Sequence, residues 1–128
     1  MRICIVSNFT GVLDEGMGNI GYYLSKCLSK KHYVFFMNIY SILSYKKLLD
    51  LMKFRPQIIC CTFGPTLKSL LILQFLKIIT KAEVLVCLAV NSFLTELTGR
   101  IAKKFVRLDL VVVQSKKDEL FFKRIGFN

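Results

Sequence analysis

The sequence predicts a doubly wound α/β domain with a parallel sheet, and three observations carry that reading. Apolar strand-like runs alternate with segments of helical period along the whole 128 residues. Two runs, Gln57-Ile58-Ile59-Cys60-Cys61 and Leu110-Val111-Val112-Val113, are apolar without a break, as strands covered on both faces are. The first run leads through a polar loop to a glycine-rich turn, Gly16-Met17-Gly18-Asn19-Ile20-Gly21, that opens a helix. Regular βα alternation implies right-handed crossovers. The expected sheet has five parallel strands in the order 3-2-1-4-5, with helices on both faces.

Each element has its own warrant. Strands are expected near 2–6, 33–39, 57–62, 83–89 and 109–113, and helices near 17–30, 42–54, 65–79, 93–107 and 116–124. In the first helix Ile20, Leu24, Cys27 and Leu28 recur at i, i+4, i+7, i+8 and form one inner stripe. In the second, Tyr45, Leu48, Leu49 and Met52 are read as inner, with Lys46, Lys47, Asp50 and Lys53 outside. Gly64-Pro65 opens the third, Pro being favoured at a first helical position. Its run Leu70-Leu71-Ile72-Leu73-Gln74-Phe75-Leu76 is apolar nearly all round, so it is either deeply covered or packed on a partner. The fourth is read with Leu94, Leu97, Ile101 and Phe105 inside and Glu96, Arg100, Lys103, Lys104 and Arg107 outside. Ser115 and Asp118 form a capping pair at the start of the last.

Composition narrows the class. A hydrophobic content of 54% excludes disorder, and the length suits one domain with one core. Lys and Arg number 19 against 8 Asp and Glu, a formal +11 that favours an anionic partner. Arg100, Lys103, Lys104 and Arg107 recur at i, i+3, i+4, i+7. Such a stripe is either a solvated face or a patch for anionic lipid headgroups. Nucleic acid is the poorer fit, because the aromatics lie on apolar faces rather than among the basic residues. Cys4, Cys27, Cys60, Cys61 and Cys87 make no C-x-x-C pair, and His32 is the single histidine. A zinc site is therefore rejected, and buried free thiols in a reducing cytosol are expected. No signal peptide is expected ahead of the first strand, because Arg2 leads straight into it, and Lys77, Lys81 and Glu83 interrupt the longest apolar region. The expected location is the cytoplasm, peripheral to the inner membrane face.

The first crevice of the sheet is the expected ligand site. Unpaired N–H groups and the helix dipole converge where a strand, a glycine loop and a helix N-terminus meet. Gly16, Met17, Gly18 and Asn19 are candidate contacts there. Asn91 and Ser92, after the fourth strand, and Ser115, after the fifth, lie where doubly wound sheets place ligands. A dinucleotide fingerprint is disfavoured. Residues 7–15 separate the first strand from Gly16, and the second strand ends Met37-Asn38-Ile39 without a carboxylate for a ribose. No P-loop pattern occurs, and no Ser/His/Asp set or carboxylate pair can be assembled, so no catalytic residue is assigned.

Several segments, in order, resemble a known family. Met1-Arg2-Ile3-Cys4-Ile5-Val6-Ser7, Gly16-Met17-Gly18, Leu24-Ser25-Lys26-Cys27-Leu28 and Lys31-His32-Tyr33-Val34 look like the opening of a family 4, GT-B-type glycosyltransferase. Arg55-Pro56-Gln57-Ile58-Ile59 is similar to its Lys/Arg-Pro-Asp-Val-Ile stretch, and Arg107 to Ser115 to its Ala-Asp-x-x-x-x-x-Ser stretch. Three positions depart from the pattern: Lys31 stands for a glycine, Gln57 for an aspartate, and Cys87 to Ser92 lacks a histidine common after the fourth strand.

The resemblance implies a single Rossmann-like domain over residues 1–128, corresponding to the N-terminal, acceptor-binding half of such an enzyme. It implies a retaining transfer of sugar from a nucleotide-sugar donor to a glycan or lipid-linked acceptor. The donor would be held by a C-terminal domain or separate subunit, leaving this chain inactive alone. No cofactor or metal is implied. A reading from a different class stays open: a noncatalytic Rossmann-like binding or assembly module, docking a partner through the apolar third helix.

Overall fold

The computed structural model describes residues 1–8, 16–89 and 94–127. The chain runs β1 (Arg2–Ser7), α1 (Gly16–Leu28), β2 (Tyr33–Asn38), a 3₁₀ turn (Ile39–Leu43), α2 (Tyr45–Phe54), β3 (Ile58–Cys61), α3 (Leu67–Thr80), β4 (Val84–Ala89), α4 (Glu96–Phe105), β5 (Leu110–Val113) and α5 (Lys116–Arg124). All five strands are parallel, so the doubly wound α/β class stands.

The strand order is β2-β1-β3-β4-β5, not the expected 3-2-1-4-5. The reason lies in side-chain character. Residues Ile58–Cys61 are apolar on both faces, and β3 satisfies them in the sheet interior between β1 and β4. β2 begins at Tyr33, which is 75% exposed, and keeps only Met37 buried, as an edge strand can. After β2 the chain therefore reverses and crosses back over β1. Right-handed crossovers then put α1 on one face and α2, α3 and α4 on the other.

The two faces differ in cover. The larger core joins Cys4, Val6, Ile59, Cys61, Leu85 and Cys87 of the sheet to Leu51 of α2, Leu70, Leu73 and Leu76 of α3, Ala102 of α4 and Phe122 of α5. The smaller core holds Ile3, Ile5 and Cys60 under Leu24 and Leu28 of α1. Beyond the reach of α1, Leu110 and Val112 of β5 are exposed on that same face.

Side-chain hydrogen bonds fix the helix starts. Thr66 and Ser69 form a reciprocal capping box on α3, with Ser69 N–H donating to Thr66 Oγ1 at 3.1 Å and Thr66 N–H to Ser69 Oγ at 2.8 Å. Thr66 thus caps the helix, and Pro65 lies just outside it rather than at its first position. Thr95 and Thr98 repeat the device on α4. A carboxylate ties the layers together. Asp109 accepts from Lys77 of α3 and from the Leu85 amide of β4, the latter at 2.8 Å. Burial opposes its charge, but these donors and the positive Lys77 and Arg107 outweigh that and hold the carboxyl below its usual range.

Three inner faces depart from the helical patterns. Cys27 of α1 is exposed; Leu24 and Leu28 carry the contact instead. In α2, Tyr45 and Met52 are exposed while Leu51 is fully buried. In α4, Leu97, Ile101 and Phe105 are exposed, and the small residues Gly99 and Ala102 face the core beside Leu94. Small side chains let a helix lie close to its neighbours: a Cβ on Gly99 would sit 2.6 Å from Ile125 Cδ1. Close backbone approach decides which side of α4 turns inward.

Candidate functional site

In a doubly wound sheet, ligands bind beyond the carboxyl ends of the strands where the winding reverses. Here the reversal falls between β1 and β3. The expected order would have put it between β1 and β4. The observed order moves it to the segment 62–69.

On one face of this edge α1 lies almost on the strands. A Cβ at Gly21 would stand 2.5 Å from Ser7 Oγ and 2.6 Å from Thr62 Oγ1, so only glycine fits. Ser7 and Thr62 are fully buried beneath it. Thr62 Oγ1 has no hydrogen-bond partner among the described residues. Gly16 and Gly18 belong to the first turn of α1, which also carries Met17 and the half-buried Asn19. The last glycine of G-x-G-x-x-G therefore serves close helix–strand packing.

On the other face lies a cleft of about 410 Å³. Asn8 enters it from the end of β1. Ile39, Tyr40, Ile42 and Leu43 form one wall after β2. Phe63, Gly64, Thr66, Lys68, Ser69 and Ile72 form the other after β3. The first wall is shaped by Asn38, whose Oδ1 accepts from Tyr40 N–H at 2.8 Å and whose carbonyl accepts from Ser41 Oγ at 2.6 Å. This side-chain turn starts the 3₁₀ segment and sends Tyr40 outward. The second wall is the N-terminus of α3, whose dipole favours negative charge, with Lys68 in its first turn. Asn8 Oδ1 is buried and unpartnered among the described residues.

The cleft is thus apolar along Ile39, Ile42, Leu43, Phe63 and Ile72, and polar at Asn8, Tyr40 and Lys68. That arrangement suits an amphipathic ligand with a hydroxylated or anionic head. It offers no nucleophile–base pair. Among the described residues no three His, Cys, Asp or Glu side chains are placed to hold a metal ion. Burial pushes the Cys4 and Cys60 thiols up to about 12 and raises Cys61 as well, so these sulfurs stay protonated and unreactive.

The sequence-derived positions do not converge. Gly16 to Asn19 form the start of α1. Asn91 and Ser92 lie outside the described residues. Ser115 caps α5, its Oγ accepting from Asp118 N–H at 3.1 Å and donating to Asp118 Oδ2 at 2.6 Å. Of the basic stripe, Lys103 turns aside, its Nζ 5.1 Å from the Phe127 ring centroid. Arg100 pairs with Glu96 at 2.8 Å. Sequence reading missed the cleft walls. Their signal was there: Asn38 at a strand end two residues before Tyr40, and Thr66 three residues before Ser69 ahead of an apolar run.

Compared with protein-family profiles, curated proteins and solved structures, the chain matches none.

Proposed function

We propose that this domain is the acceptor-side half of a retaining hexosyltransferase. It holds a glycan or lipid-linked acceptor, while a second domain or subunit presents the nucleotide-sugar donor, at the cytoplasmic side of a membrane. The observation that carries the reading is the cleft between the 3₁₀ turn and the start of α3. Its apolar walls suit an aliphatic chain, and Asn8, Tyr40 and Lys68 suit a sugar or phosphate head. The ordered motifs shared with GT-B-type transferases support it, and so does a helix N-terminus aimed at a developing or resident negative charge. In this scheme the domain binds and orients the acceptor, and the chemistry needs the donor side.

Calorimetry and a transfer assay test it together. Octyl glucoside and glucose 1-phosphate should bind the isolated chain. Lys68→Ala should weaken the phosphate ligand about tenfold, the worth of one charge-assisted hydrogen bond. UDP should bind only weakly, and UDP-glucose should yield no transfer to octyl glucoside. Submicromolar UDP binding, or mutation-sensitive transfer by this chain alone, contradicts the proposal. The first result favours a noncatalytic nucleotide-binding module instead.

A further inference from the structure

The outer surface of α3 and α4 is a feature that the cleft does not explain. Leu71, Phe75 and Ile78 follow i, i+4, i+7 on α3, and Leu97, Ile101 and Phe105 follow i, i+4, i+8 on α4. The two helices pack side by side, and all six side chains are exposed, Leu97 and Phe105 by about two thirds. Exposed apolar rows on two neighbouring helices are what an interaction site requires.

Charge indicates the occupant. At 100° per residue, Arg100 and Lys104 project on the same outward side of α4 as Leu97. Lys68 and Lys81 stand at the two ends of α3, and Arg107 follows α4. Among the described residues Lys68, Lys81 and Lys104 have no ion pair, and Arg107 contributes only its field to Asp109. The carboxylate on this face, Glu96, is spent on Arg100. A second copy docked here by a two-fold axis would bring these cations together. An apolar stripe of Leu, Ile and Phe flanked by Lys and Arg is the pattern of helices that lie in a bilayer interface.

We infer that the α3–α4 face docks on an anionic bilayer, with Leu97, Ile101, Phe105 and Phe75 entering the acyl boundary and the flanking cations meeting the headgroups. The inference stands apart from the acceptor reading: apart from Lys68, which borders both, it uses residues outside the cleft, and it needs no sugar.

Vesicle co-sedimentation tests it. The probes are vesicles of phosphatidylcholine alone and of equimolar phosphatidylcholine and phosphatidylglycerol. Binding to the mixed vesicles should exceed binding to the neutral ones at least tenfold. It should fall steeply with salt, because the screening length shrinks from ~10 Å at 0.1 M to ~3 Å at 1 M. Lys104→Glu with Arg107→Glu, and separately Leu97→Ser with Phe105→Ser, should each reduce it at least tenfold. Circular dichroism should show both variants folded. Equal binding to both vesicle types, or full binding by the serine variant, overturns the inference. So does a dimer, in ultracentrifugation without lipid, that the serine variant abolishes, since that makes a second copy the occupant. An acidic protein that competes with vesicles only through Lys104 and Arg107, leaving the serine variant's vesicle binding intact, overturns it too.

Discussion

Gly21 has no room for a methyl group. Ser7 Cβ would lie 2.7 Å from it, with Ser7 Oγ and Thr62 Oγ1 nearer still. In an ordinary exposed helix Gly→Ala stabilises by about 1 kcal/mol. Here the sign should reverse, because α1 must lift off β1 and β3, and overpacking of this kind costs roughly 1–3 kcal/mol. Urea denaturation of Gly21→Ala checks this, and a gain in stability contradicts the packing described. The thiols make a second residue-scale case. The unfolded chain loses thiol protons near pH 9, whereas Cys4 and Cys60 keep theirs to about 12 when folded. Above pH 9 the folded state therefore binds more protons, and stability falls as pH rises, by about 1.4 kcal/mol per pH unit for each thiol. The urea midpoint should drop progressively from about pH 9 towards about pH 12, and Cys4→Ala with Cys60→Ala should flatten that drop.

At the scale of elements, α4 shows how an apolar stripe misleads. Leu97, Ile101 and Phe105 carry the helical period that normally marks an inner face, yet Gly99 and Ala102 are the buried positions. Period reports where apolar residues line up, not whether the far side offers a shorter approach to the neighbouring helices. The same limit applies to Tyr45 and Met52 of α2, which are exposed while Leu51 is buried. Where burial has no competitor, as in the strands, the pattern and the structure agree to within a residue or two. The expected strand 33–39 is observed as Tyr33–Asn38, because the Asn38 side chain turns the backbone into the 3₁₀ segment. Leu97→Ser should change stability by less than about 0.5 kcal/mol, as exposed substitutions do. Leu73→Ala, in the fully buried row of α3, should cost about 2–5 kcal/mol. Equal losses at the two positions contradict the assigned orientation of α4.

For the molecule as a whole, class and element order were legible because βα alternation and unbroken apolar runs leave few arrangements. Strand order was not. It depends on which strand tolerates an edge, and the difference between Tyr33-Val34-Phe35-Phe36 and Ile58-Ile59-Cys60-Cys61 is one of degree. That single reversal moves the switch point from β4 to β3, and with it the cleft that Asn8, Tyr40 and Lys68 share. The site was therefore legible as an edge of the sheet but not as a set of residues.

The proposed acceptor site is this carboxyl edge, on the side of the 3₁₀ turn and α3. Two-dimensional amide NMR of the labelled chain, titrated with octyl glucoside below its micelle-forming concentration, tests it most directly. The account predicts saturable shifts at Asn8, Tyr40, Gly64 and Lys68, with Ser115 and the β5 amides unmoved. No saturable shift, or shifts confined to α5 and β5, would contradict it.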